Sequence, residues 1–248
     1  MKKNILFIAY SFFSFFVNGQ EVSEKDKFNL IMLAGLSTPL GNYSNKSISN
    51  ANAGFAKTGY TGNISIQYHI FKNHYFVANI SSHSNKFDGG SLANQLNAQT
   101  PNYLYTSTSN NWQTLSFLLG ACDIYNLNKQ KTLFLINRAF LGYANVHSPS
   151  IYITKAPIGT GVSSWTRQSD ASAGSFAWSI DLGIKKRLQK NYSIFFLVNY
   201  FNTKPTFNNV TTTNSSGSIS QYSFRQSISS LEFMGGVSFD FYYKKSKK

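Results

Sequence analysis

Four histidines, a handful of carboxylates and an abundance of serines are the raw material for chemistry in this chain. His83 is followed by Ser84, and His147 by Ser148 and Ser150, while Asp88 is the nearest acid to His83. A serine becomes a nucleophile only with a base in hydrogen-bond reach and an acid to orient that base. Serine and threonine are so common here that a Ser beside a His is expected from composition, and no catalytic residue is assigned. The histidines and the lone Cys122 show no ligand spacing such as CxxC or HxxxH, so no metal site and no cofactor are expected. Asn63 and Asn79 open Asn-x-Ser/Thr triplets, which composition again accounts for.

A second group matters through its placement. If Leu133, Leu135, Ala139 and Leu141 share one face of an extended strand, Arg138 lies on the other, because successive side chains point oppositely. The same parity puts Asp181, Lys185, Glu232 and Asp240 on the face away from the apolar residues. If that face is enclosed, these charges must pair. Arg138 is then expected to be neutralised by Glu232 or Asp181, as a structural plug rather than a gate.

The elements that would hold these residues are two-faced strands. Tyr60, Gly62, Ile64, Ile66, Tyr68 and Ile70 alternate with Thr61, Asn63, Ser65, Gln67 and His69. Phe176, Trp178, Ile180, Leu182 and Ile184 alternate with Ala177, Ser179, Asp181, Gly183 and Lys185. Such segments are predicted over Phe28–Pro39, Gly59–Ile70, Tyr75–Ser84, Trp112–Tyr125, Thr132–Asn145, Phe176–Leu188, Tyr192–Phe201 and Ile228–Tyr242. The connections alternate short and long. Phe71–His74, Asn126–Gln130 and Gln189–Asn191 are tight, whereas Gly41–Thr58, Asn85–Asn111, Val146–Ser175 and Asn202–Ser227 are long, polar loops. Strands of ~10 residues with one apolar face, joined by short turns on one side and long loops on the other, describe a transmembrane antiparallel up-and-down β-barrel of about eight strands. Both termini then lie on the short-turn, periplasmic side.

Composition agrees. Charged residues make up 13% of the chain and aromatics 16%, a poor recipe for a surface bathed in water. Mean hydropathy is only −0.22, because polar lumen residues dilute the oily face. Two aromatic belts are expected at the membrane interfaces. Tyr68, Phe76, Tyr125, Tyr192, Phe239 and Phe241 lie near the short turns, and Tyr60, Trp112, Tyr143, Trp178 and Tyr200 near the long loops. In-strand glycines at 35, 62, 120, 142, 183, 235 and 236 are expected to relieve crowding and curvature.

Residues 1–19 read as a secretory signal: Lys2 and Lys3, the apolar run Ile5–Val17, then Val17-Asn18-Gly19 at a cleavage point. Residues 20–27 would be a short periplasmic segment, 28–243 the barrel and 244–248 a basic tail. A single cysteine excludes a disulfide framework. The formal charge is +14, but an exported chain without a nucleic-acid motif argues against a nucleic-acid partner.

From Phe28 to Tyr242 the chain resembles the small outer-membrane β-barrel proteins of Gram-negative bacteria, the OmpA-like or porin-like barrel family. The resemblance rests on Leu33-Ala34-Gly35-Leu36-Ser37-Thr38-Pro39-Leu40-Gly41, Gly54-Phe55-Ala56-Lys57-Thr58-Gly59-Tyr60, Ile180-Asp181-Leu182-Gly183-Ile184-Lys185-Lys186 and Phe233-Met234-Gly235-Gly236-Val237-Ser238-Phe239-Asp240-Phe241. Members usually end on an aromatic residue read by the barrel-insertion machinery, whereas here Tyr242-Tyr243 is followed by Lys244-Lys245-Ser246-Lys247-Lys248. The resemblance implies a porin-like cell-envelope protein with outer-membrane lipid, lipopolysaccharide and that machinery as partners. Lys46, Lys57, Lys86, Lys155, Arg167, Lys204 and Arg225 are the expected outer-rim contacts to lipopolysaccharide phosphates. The expected role is non-enzymatic, structural or surface-interactive. The alternatives are a narrow channel for small solutes or ions, an assembly factor of a secretion system that engages an envelope protein, and a lipid-modifying enzyme built on a Ser/His pair.

Overall fold

The computed structural model describes residues 26–159 and 163–242, so the signal segment and the basic tail read from the sequence lie outside the described residues. Eight strands close into an antiparallel barrel. In chain order they are β1 (Asp26–Pro39), β2 (Gly59–Phe71), β3 (His74–Asn85), β5 (Trp112–Asn126), β6 (Leu133–His147), β9 (Ser172–Gln189), β10 (Tyr192–Thr203) and β13 (Ile228–Tyr242). Each pairs with its predecessor, and β1 pairs with β13 from Phe28↔Phe241 to Pro39↔Ser230 to complete the ring. All eight correspond to strands expected from the alternation. The largest boundary difference is β9, which begins at Ser172 rather than Phe176.

Alternation decides what faces where. Ile64, Ile66, Leu119, Leu182 and Phe196 are each more than half exposed on the outer wall. Gln67, Ser65, Arg138 and Asp181 on the alternate positions are buried inside. A soluble protein rarely exposes an apolar band of this extent. A bilayer solvates it without cost, and closure leaves no unpaired strand edge in hydrocarbon. The chain is therefore an outer-membrane β-barrel. The interior mixes polar groups with packed apolar ones, Ile31, Phe134, Ile136, Phe140 and Leu197 being buried among them.

Five of the in-strand glycines sit where neighbouring wall leaves no room. A Cβ on Gly183 would collide with the Phe196 carbonyl oxygen, and one on Gly236 with that of Met32. Gly35, Gly120 and Gly142 meet neighbouring backbone as closely. Gly62 and Gly235 have free space instead. Among these seven, crowding is confined to the inward-facing glycines.

Where the sequence reading gave only long, polar loops, the structure adds regular elements. Three of the loops contribute β4 (Tyr103–Ser109), β7 (Ile151–Pro157), β8 (Ser164–Gln168), β11 (Thr206–Asn214) and β12 (Ile219–Arg225) to a second, five-stranded sheet in the order β12-β11-β8-β7-β4. A helix, α1 (Gly89–Gln99), precedes β4. The β-branched and aromatic alternation of Tyr103-Leu104-Tyr105-Thr106 and Ile151-Tyr152-Ile153-Thr154 marks these strands.

Candidate functional site

Two ion pairs and a histidine–carboxylate pair are stacked inside the barrel. Nearest the short turns, Lys185 Nζ donates to Asp240 Oδ1 at 2.9 Å. Further out, Arg138 Nε donates to Asp181 Oδ2 at 2.7 Å, and its Nη1 reaches Ser65 Oγ at 3.2 Å. Asn199 also donates to Asp181. The register explains the encounter: Arg138 on β6 lies directly opposite Asp181 on β9, both on the lumen face. Asp181 is thus the partner of Arg138, and Glu232 has another.

That other partner is His83. Its Nδ1 lies 2.5 Å from Glu232 Oε1, and its Nε2 lies 3.0 Å from Ser81 Oγ. Ser81 also bonds Ser116 at 2.5 Å, and Ser230 donates to Glu232 at 3.0 Å. Ser84, the neighbour in sequence, is not the partner, because residues i and i+1 of a strand point to opposite faces. His147 pairs with Ser172 at 2.8 Å rather than with Ser148 or Ser150. Ser81, His83 and Glu232 have the residue types of a nucleophile, base and orienting acid. All three are buried, and the His83 ring packs on Phe201 at 4.6 Å.

Above this layer an aromatic stopper fills the mouth. Tyr43, Trp112 and Phe207 are buried, with Tyr43 and Phe207 at 5.8 and 6.0 Å from Trp112. Trp112 Nε1 donates to Gly54 O at 2.9 Å, tying the first loop across the opening. Burial, with Glu232 nearby, pushes the Tyr43 phenol up and keeps it neutral. Trp112 therefore leaves the expected interface belt. It shares parity with Thr114 and Ser116, which face inward.

The remaining belt residues stay on the wall. Tyr60, Tyr68, Phe76, Tyr143, Tyr192 and Phe241 are exposed, while Tyr125, Trp178, Tyr200 and Phe239 are half-buried. Trp178 packs on Tyr200 at 5.3 Å and Tyr192 on Phe239 at 5.1 Å.

The seven basic loop residues divide. Lys46, Lys57 and Lys86 converge on one cleft of about 490 Å³ at the outer ends of β1, β2 and β3, together with Thr38, Ser44 and Thr58. Asp88 organises them: its carboxylate lies 2.7 Å from Lys46 Nζ and 3.7 Å from Lys57 Nζ. The same carboxylate caps α1 by accepting from Ser91 N at 3.1 Å. Three cations against one anion leave the cleft positive. Elsewhere, Lys155 Nζ sits 3.9 Å over the Tyr103 ring, and Arg167 lies beside Tyr152 and Trp165 on the sheet. Lys204 and Arg225 are exposed and separate from the cleft.

Burial alone would raise the Asp88 carboxyl, but hydrogen bonds from Lys46 and Ser91 outweigh it and hold the pKa down to about 2. A depressed carboxyl contributes stability that is complete above its ordinary value and lost as pH falls through the folded one. The Ser91 amide resonance should accordingly titrate with a midpoint of about 2, and Asp88→Asn should flatten that curve. A midpoint at the ordinary carboxylate value would contradict the capping geometry.

No family model matches this chain, and no curated protein matches it. Among solved structures it is similar to Neisserial surface protein A, at 14% identity and TM-score 0.45 over 86% of this chain and 97% of that one. It is similar to the attachment invasion locus protein Ail of Yersinia pestis at 11% identity and TM-score 0.39, over 87% and 99%. A major outer membrane protein of Thermus thermophilus gives 10% identity and TM-score 0.47, over 87% and 98%. The narrower OmpA-like label of the sequence reading goes further than these likenesses.

Proposed function

We propose that this protein is a sealed, non-enzymatic surface barrel whose work is done by the folded head above the membrane, seated on lipopolysaccharide phosphates at the rim. The observation that carries this reading is the double closure of the lumen, by ion pairs within and by the Tyr43–Trp112–Phe207 stopper at the mouth. A closed bore leaves the head as the part able to meet other molecules, and binding sites concentrate where a rigid scaffold presents loops. Envelope integrity or surface contact fits that geometry better than solute passage. In this reading Ser81, His83 and Glu232 are structural: their hydrogen bonds to one another and to Ser116 and Ser230 satisfy buried polar groups.

The rim cleft supplies the lipid contact. Lys57 lies just before β2 and Lys86 directly follows β3, at the level where the wall leaves hydrocarbon. Charge-assisted hydrogen bonds from three ammonium groups suit a phosphate monoester. Native mass spectrometry of the detergent-solubilised barrel should retain bisphosphorylated lipid A over its dephosphorylated form. The combined Lys46→Gln, Lys57→Gln and Lys86→Gln variant should lose roughly tenfold or more of that retention, given ~1 kcal/mol for each basic residue at an anionic surface. Equal retention of both lipids by the unsubstituted protein would reject the rim contact.

A further inference from the structure

The head carries a half-open cavity that the rim contact does not use. It measures about 350 Å³ and lies between the loop sheet and the first two loops. Ile153 of β7 and Phe224 of β12 wall one side, and Phe55, Phe87 and Leu92 the other, with Trp112 also at its surface. The size falls in the range of small-molecule sites.

Two features make it specific. First, among the described residues no charged side chain lines it, although the chain carries a formal charge of +14. Its polar groups are the neutral side chains of Thr166, Gln168, Thr212 and Gln226, joined by the Tyr222 hydroxyl, which donates to Gln168 Oε1 at 2.7 Å. A desolvated ion would find no countercharge there. Second, the walls are aromatic and held in place. Phe224 stacks on Phe207 at 4.9 Å, and Phe55 packs on Phe87 at 5.6 Å. Phe55 is held at φ +51°, a left-handed conformation that a bulky residue adopts only when its surroundings impose it. Its N–H donates to Asn45 O and its carbonyl accepts from Asp88 N, at 2.9 and 2.7 Å. The backbone is thus fixed so that an aromatic ring faces the cavity.

We infer that this cavity is a binding site for a neutral, aromatic small molecule, gripped between ring faces and oriented by the glutamine and threonine edge. The site is independent of the lipid contact, because none of the three rim lysines lines the cavity.

Trp112 provides the readout. The full barrel carries three tryptophans, so Trp165→Phe and Trp178→Phe leave Trp112 as the sole emitter, with heat-modifiable migration confirming that the fold is kept. Titration with nitrobenzene should quench Trp112 saturably, whereas 4-nitrobenzoate should give only linear collisional quenching. Ile153→Glu, placing a charge in the wall, should weaken the saturable phase roughly tenfold or more. Leu104→Glu, exposed on β4 away from the cavity, should leave it intact. Linear quenching by nitrobenzene, equal saturation by the anionic analogue, or an unchanged response in Ile153→Glu would each overturn the proposal. Displacement of nitrobenzene by octanol at lower concentration would reassign the cavity to aliphatic chains and overturn the aromatic assignment.

Discussion

Arg138→Ala should destabilise the barrel by about 3–5 kcal/mol, the cost of leaving a buried charge without its partner. Arg138 is fully buried, and its guanidinium holds both Asp181 and Ser65. Truncation leaves the Asp181 carboxylate in a closed lumen, with only Asn199 still donating to it. The penalty should be mostly that of the orphaned anion rather than the lost attraction. A double substitution, Arg138→Met with Asp181→Leu, should therefore recover much of the loss, since well-packed apolar replacements of buried ion pairs are often neutral. Urea titration of the refolded barrel, followed by Trp fluorescence and by heat-modifiable migration, gives both values. Equal losses in the single and double variants would mean that packing volume, not charge pairing, is what Arg138 supplies.

Gly183→Val should prevent closure of the barrel, while Gly235→Val should leave a folded protein. On Gly183 the added atom would meet the Phe196 carbonyl oxygen and the Leu197 Cα. Those are ladder atoms on the paired strand, and they cannot move without breaking the register of β9 against β10. On Gly235 the nearest atom is 3.8 Å away and the position faces the exposed wall. Folding yield into detergent or lipid vesicles, scored by electrophoretic migration before and after boiling, separates the two. Wild-type-like folding of Gly183→Val would show that the wall has slack where the geometry allows none.

The contrast between those two glycines also shows what the sequence could convey. Strand parity alone places Arg138, Asp181, Lys185, Glu232 and Asp240 inside, because the period of two is local information. The same rule, applied strictly, removes Trp112 from the membrane interface and pairs His83 with Ser81 rather than Ser84. Adjacency in sequence was the misleading signal for His83, and position at a strand end for Trp112. The head was harder to read, since β8 pairs with β11 across the whole of β9 and β10, and β4 pairs with β7 across the whole of β5 and β6. Alternation in 103–106 and 151–154 marks single strands, but nothing local in the sequence says which of them pair. The Lys46–Asp88–Lys57 cluster has the same character: its members come from two different loops and meet only because Lys57 N donates to Lys86 O and Asp88 N to Phe55 O, stitching those loops together.

If the lumen is sealed as proposed, by ion pairs beneath a plug of rings, the barrel should span the membrane yet pass no current. Single-channel recording in planar bilayers, with insertion verified independently by protease protection of the same membranes, tests that directly. Inserted protein should give a flat baseline. Steady, uniform conductance steps would contradict the sealed lumen, and the head would then stand at the entrance to a pore.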